Sequence, residues 1–136
     1  MTDDMITLGK RATACKGWRW MPGMLAVEWA APGMGLTGGR PGRVDERWHE
    51  VGVWLPDLTD PATVGCLLAL VREAYGDPSA YVRLSDTTRQ SDGVRAWEVL
   101  GWLNPMRSPD GCGGSWRGWG YASEAEALVA ALEAAP

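Results

Sequence analysis

Between Asp60 and Gly76 the chain carries a complete set of local signals for one amphipathic helix. Asp60 precedes a proline, which biases it away from helical geometry and suits it to the N-cap. Pro61 fits the first helical position, where its missing N–H costs nothing. Val64, Leu67, Leu68, Val71 and Tyr75 recur at i, i+3, i+4, i+7 and i+11 and form one apolar stripe. Gly76 stands where a left-handed C-cap belongs. Whatever the rest of the chain does, it must cover that stripe.

The flanking segments alternate rather than turn. Met24 to Ala30 reads as a strand with Leu25, Val27 and Trp29 on one apolar face, after a Pro22-Gly23 turn. Val44 to Leu55 reads as extended, with room for a bulge. Ala80 to Leu84 and Val94 to Leu103 read as two more strands across the polar run Ser85 to Gly93. A last short strand is predicted to end at Tyr121.

Thr7 is a candidate cap for a short helix over Leu8 to Lys16, closed by Gly17. Ser123 and Glu126 make a capping box ahead of Leu128, Val129 and Leu132. Pro32 to Gly42, with five Gly and two Pro, reads as a loop. The expectation is an α+β fold in order α-β-β-α-β-β-β-α: an antiparallel or mixed sheet of about five strands with two to three helices. No boundary or repeat divides residues 1–136, so a single domain is expected.

The reactive residue types exclude more than they suggest. One histidine, His49, rules out a His-rich metal site and is placed in a strand beside Trp48. Cys15, Cys66 and Cys112 are odd in number and widely spaced, neither a disulfide framework nor a C-x-x-C motif, which points to a reducing compartment. The acidic start and the lack of any apolar run of about 20 residues predict a cytoplasmic chain without a membrane anchor.

Gly33-Met34-Gly35-Leu36-Thr37-Gly38 matches G-x-G-x-x-G, yet Gly39-Arg40-Pro41-Gly42 follows and cannot open the helix that holds a pyrophosphate. It reads as a flexible connection or as a phosphate-contacting flap using Arg40 and Arg43. The carboxylates Asp57 and Asp60, Asp86 and Asp92, and Glu124 and Glu126 lack a flanking catalytic element. Asp60 is more simply a cap, and the two glutamates suit a first helical turn. No catalytic residue, metal or cofactor is assigned, and the chain is expected not to be an enzyme.

The positive features are charge distribution and tryptophan. Net charge is −4, but residues 10 to 47 carry seven basic side chains against Glu28, Asp45 and Glu46. Nine Trp and no Phe give Trp18-Arg19-Trp20, Arg47-Trp48 and Trp116-Arg117-Gly118-Trp119. An indole stacks on a nucleobase while a guanidinium forks onto phosphate, although a chain without Phe must also build its core from Trp. The candidate ligand residues are Trp18, Trp20 and Trp116 for stacking and Arg19, Arg40, Arg43 and Arg117 for phosphate.

Trp18-Arg19-Trp20-Met21-Pro22-Gly23-Met24, Leu55-Pro56-Asp57-Leu58-Thr59-Asp60-Pro61-Ala62-Thr63 and Ala122-Ser123-Glu124-Ala125-Glu126-Ala127-Leu128 resemble small uncharacterised proteins of tailed bacteriophages and prophages. That resemblance implies a phage origin and a place in the host cytoplasm. Gly9-Lys10-Arg11 through Lys16-Gly17-Trp18, with Met21 to Met24, is similar to the opening of phage sponge proteins that sequester the cyclic nucleotide signal of Thoeris immunity. This second resemblance implies nucleotide capture. The resulting expectation is an anti-defence protein that binds a small phosphorylated or cyclic nucleotide, as a homo-oligomer. The alternatives are a protein-binding inhibitor of a host defence complex, anti-CRISPR-like, and a nucleotide-acting enzyme.

Overall fold

In the computed structural model the described residues are 2–28, 41–48, 53–84, 96–101 and 121–136. They form α1 (Asp3–Ala14), β1 (Leu25–Glu28), β2 (Pro41–Arg43), β3 (Trp54–Pro56), α2 (Pro61–Tyr75), β4 (Tyr81–Leu84), β5 (Trp97–Leu100) and α3 (Glu124–Glu133). The class is α+β, as expected. Among the described residues three strands precede α2 and two follow it, so the order differs in where α2 falls. The strands also form two antiparallel sheets, β2-β1-β3 and β4-β5, instead of one.

The ends of α2 follow the sequence signals. The Asp60 carboxylate accepts from the Thr63 N–H at 2.9 Å, and Gly76 adopts φ 60°. The Asp77 N–H then bonds the Arg72 carbonyl at 2.9 Å, closing a Schellman-type turn. The stripe is rotated from the expected one: Thr63, Leu67, Leu70, Val71 and Tyr75 are buried, whereas Val64 and Leu68 pack at its margin. Thr63 is buried because its hydroxyl donates to Asp60 at 2.9 Å and accepts from the Leu25 N–H at 2.8 Å, tying β1 to the helix start.

α3 begins at the capping box. The Ser123 hydroxyl accepts from the Glu126 N–H at 3.1 Å, and the Glu126 carboxylate accepts from the Ala122 N–H at 3.2 Å. α1 starts five residues earlier than expected, with Thr2 rather than Thr7 as its cap. Asp3 and Asp4 in its first turn suit the helix dipole. Gly9, a poor helix former, lies where α1 crosses β3: a Cβ there would sit 3.4 Å from that of Leu55.

Two strand expectations are corrected. In β1 the face that enters the core is Met24 and Ala26, both fully buried, and Leu25 and Val27 are only half-buried. The Val44 to Leu55 strand is interrupted: the Asp45 carboxylate accepts from the Arg47 N–H at 2.8 Å, and the Trp48 N–H bonds the Asp45 carbonyl, turning the chain before β3. Pro41 and Gly42, expected in a loop, belong to β2. Tyr121 makes a single antiparallel bridge to Trp97. The remainder of that expected strand, Cys112, His49 and the G-x-G-x-x-G segment lie outside the described residues.

All three helices run in the same direction. At one end the Arg11 guanidinium donates twice to Glu133, at 2.9 and 2.8 Å, and the Tyr75 hydroxyl donates to the Ala131 carbonyl at 2.6 Å. At the other end the first turns of α1 and α2 each share a groove with the first turn of α3. Among the described residues no helix is long and apolar enough to cross a membrane.

Asp60 joins the two halves of this frame. Besides capping α2 it takes a two-point contact from Arg43, at 2.7 and 3.2 Å, and Arg43 also donates to the Gly23 carbonyl at 2.9 Å. Arg43 first, and the Thr63 hydrogen bonds with it, pull the Asp60 carboxyl from its ordinary 3.8 to about 2. A carboxyl that is more acidic folded than unfolded contributes stability above its unfolded value, and that contribution is lost as pH falls through the folded one. Denaturant midpoints of the wild type should therefore fall between about pH 4 and pH 2. Asp60→Ala should cost about 1 kcal/mol at neutral pH through the lost cap and flatten that acid limb.

Candidate functional site

The Pro22-Gly23 turn brings the two tryptophan-bearing segments together. Gly23, at φ 98°, donates its N–H to the Val44 carbonyl at 2.9 Å, and the Val44 N–H returns to the Met24 carbonyl at 2.8 Å. Residues 18–24 therefore lie along 44–48. Burial alternates along Trp18-Arg19-Trp20: both indoles are half-buried on the core while Arg19 is exposed.

The result is a continuous row of four indoles. Trp18 and Trp20 are 5.5 Å apart and nearly perpendicular, Trp20 and Trp48 are 4.8 Å apart at 51°, and Trp48 and Trp54 are 6.1 Å apart at 72°. These are the edge-to-face and tilted geometries that aromatic quadrupoles favour. Trp48 and Trp54 were not among the candidate residues. Trp48 was marked only by its pairing with Arg47, and Trp54 by apolar bulk, and neither clue places it beside Trp20 without the β1, β2 and β3 register. The buried Trp18 Nε1 has no acceptor among the described residues.

Among the described residues, Arg11, Arg19 and Arg43 do not gather around one point. Arg19 pairs with Glu73 of α2, and both side chains are more than half exposed, so the pair contributes little and leaves the guanidinium reachable. Arg43 is held by Asp60 and the Gly23 carbonyl, which makes it part of the frame. Arg11 is held by Glu133. Arg11, Arg19 and Arg43 thus meet acids at three separate places, Glu133 at the end of α3, Glu73 near the end of α2 and Asp60 at the start of α2. Arg40, Trp116 and Arg117 lie outside the described residues. Of the candidate residues, the structure brings together Trp18 and Trp20, while Arg19 between them turns to Glu73.

Other chemistry is sparse. Burial pushes the thiols of Cys15 and Cys66 up, which opposes the thiolate form that acts as a nucleophile. Both are free thiols. Among the described residues no three His, Cys, Asp or Glu side chains are grouped to hold a metal ion.

No family model and no solved structure matches the chain. The chain is 33% identical over 99 residues to a cobalt-precorrin-5B C(1)-methyltransferase of Salinispora tropica. The match covers 68% of this chain and 24% of that protein, so the chain spans about a quarter of the length of this curated relative. That similarity overturns the expectation that the chain is not an enzyme, since most of it is shared with part of a protein named for a catalysed reaction. The physical reason is that absent nucleophile and acid-base motifs exclude only mechanisms that need them. A group transfer between two bound reactants can be driven by holding them in line.

Proposed function

We propose that the chain binds a small phosphorylated or cyclic nucleotide on its row of indoles, with the base against Trp20 and Trp48 and the phosphate at Arg19. In this reading it is a phage accessory protein that captures a nucleotide signal of host defence. A second copy of the chain helps to shape the pocket. The carrying observation is the continuous row from Trp18 to Trp54, with Arg19, the residue between Trp18 and Trp20, exposed. Each base stacked on such a ring is worth about 1–3 kcal/mol by alanine substitution, sufficient for selective retention when a charge-assisted contact is added.

The test is quenching of tryptophan emission by AMP and by 3′,5′-cyclic AMP, with adenosine and inorganic phosphate as partial ligands. AMP is expected to quench, adenosine to bind more weakly, and Trp20→Leu, which keeps apolar bulk without a flat face, to weaken AMP by roughly tenfold or more. Arg19→Glu should weaken AMP but leave adenosine unchanged. Unaltered emission with both nucleotides sinks the proposal.

A second reading, methyl transfer, is favoured by the similarity over 99 residues. It predicts movement of a tritiated methyl group from S-adenosylmethionine to cobalt-precorrin-5B in the presence of the chain. Label that stays in the donor removes this reading and leaves the first intact.

A further inference from the structure

The parallel helices bring three N-termini to one end of the molecule, and two grooves meet there at Ser123. The first, about 390 Å³, lies between α1 and α3 over Met5 and Leu8; the second, about 480 Å³, lies between α2 and α3 over Leu58 and Val64. Both volumes are in the range of clefts that bind ligands, about 300–1,000 Å³. Neither touches the indole row.

Carboxylates outnumber cations in the lining of the grooves. Asp4 and Glu126 line the first and Glu124 lines the second. Arg11 also lines the first groove, and its guanidinium is held at 2.8 Å by Glu133 in the last turn of α3. Each helix N-terminus contributes roughly half a positive charge, which does not cancel these carboxylates, and Asp3 adds to their number. An anion is therefore disfavoured here despite the converging dipoles. A cationic side chain is attracted, and the apolar floors reward a chain that also carries aliphatic groups.

We propose that this end of the helix layer docks a short basic segment of a partner protein, seating aliphatic side chains on Leu8 and Val64 and setting lysine or arginine against Asp4, Glu124 and Glu126. The complementarity is of two kinds, apolar in the grooves and electrostatic at the rim, which separates such a segment from a merely basic polymer. This inference is independent of the nucleotide reading.

Fluorescence anisotropy of the full chain with a fluorescein-labelled peptide of alternating arginine and leucine tests it. A peptide of equal charge with serine in place of leucine is the control. The leucine peptide should bind, more weakly as salt rises, and the serine peptide should bind roughly tenfold less well. The combined Asp4→Asn, Glu124→Gln and Glu126→Gln variant preserves side-chain shape and the capping box. It should weaken binding by roughly tenfold.

Gly65→Arg supplies a variant that leaves the fold in place, because nothing lies within 4 Å of a Cβ at that exposed helical position. It should obstruct the second groove and repel the peptide. Equal binding of the two peptides, or binding indifferent to the carboxylate and Gly65 variants, overturns the proposal.

Discussion

Leu128→Ala is expected to lower the free energy of unfolding by about 2–5 kcal/mol, a large share of the roughly 5–15 kcal/mol that stabilises a typical domain. Leu128 is fully buried at the centre of α3, and that helix buries Ala125, Ala127, Val129, Ala131 and Leu132 as well. Six buried positions in ten residues leave little of α3 facing water, because it packs against α1, α2, β4 and β5. Truncation opens a hole lined from several sides, which no single neighbour can fill. Urea denaturation should show the loss as a lower midpoint at an unchanged slope. A change below about 0.5 kcal/mol, the range of surface substitutions, would mean that α3 is not the core helix.

Gly101→Ala should cost about 1–3 kcal/mol although it adds only a methyl group. A Cβ at Gly101 would stand 2.6 Å from Oδ2 of Asp77, a contact that real side chains do not tolerate. Asp77 is fully buried and has little freedom to retreat. Its other oxygen accepts from the Ser79 N–H at 2.9 Å and from the Ser79 hydroxyl at 2.5 Å. Moving the carboxylate would stretch these bonds at the turn that leads into β4. Gly65→Ala is the matched control, since a methyl group there meets open space inside a helix and should stabilise the chain by up to about 1 kcal/mol. Thermal or urea midpoints of the two variants should move in opposite directions.

The elements legible in the sequence were those whose ends are determined locally. Asp60-Pro61 and Gly76 bracket α2, and Ser123 with Glu126 opens α3, because caps act over three or four residues. The start of α1 was misplaced because Thr2 and Thr7 offer the same side chain. The choice between them depends on Asp3 and Asp4 and on the packing of Gly9 against Leu55, 46 positions away in the chain. The core face of β1 was inverted for a similar reason: Ala26 is small enough to pass beneath the helices, whereas hydropathy alone favoured Leu25 and Val27.

At the site, Trp18 and Trp20 were legible as neighbours of Arg19, but the extension of the row to Trp48 and Trp54 depends on strand register. The destinations of Arg11, Arg19 and Arg43 were not legible at all. Their acidic partners lie 122, 54 and 17 residues away, and like charges spaced along a chain say nothing about which acids will face them.

The central claim, that the indole row and Arg19 form a nucleotide site, is tested most directly by equilibrium dialysis of the purified chain against a nucleotide extract of phage-infected cells. Mass analysis of both compartments follows. The account predicts that a phosphorylated or cyclic nucleotide accumulates with the wild-type chain and that the excess disappears with Trp20→Leu and with Arg19→Glu. Equal nucleotide composition on both sides of the membrane would contradict it.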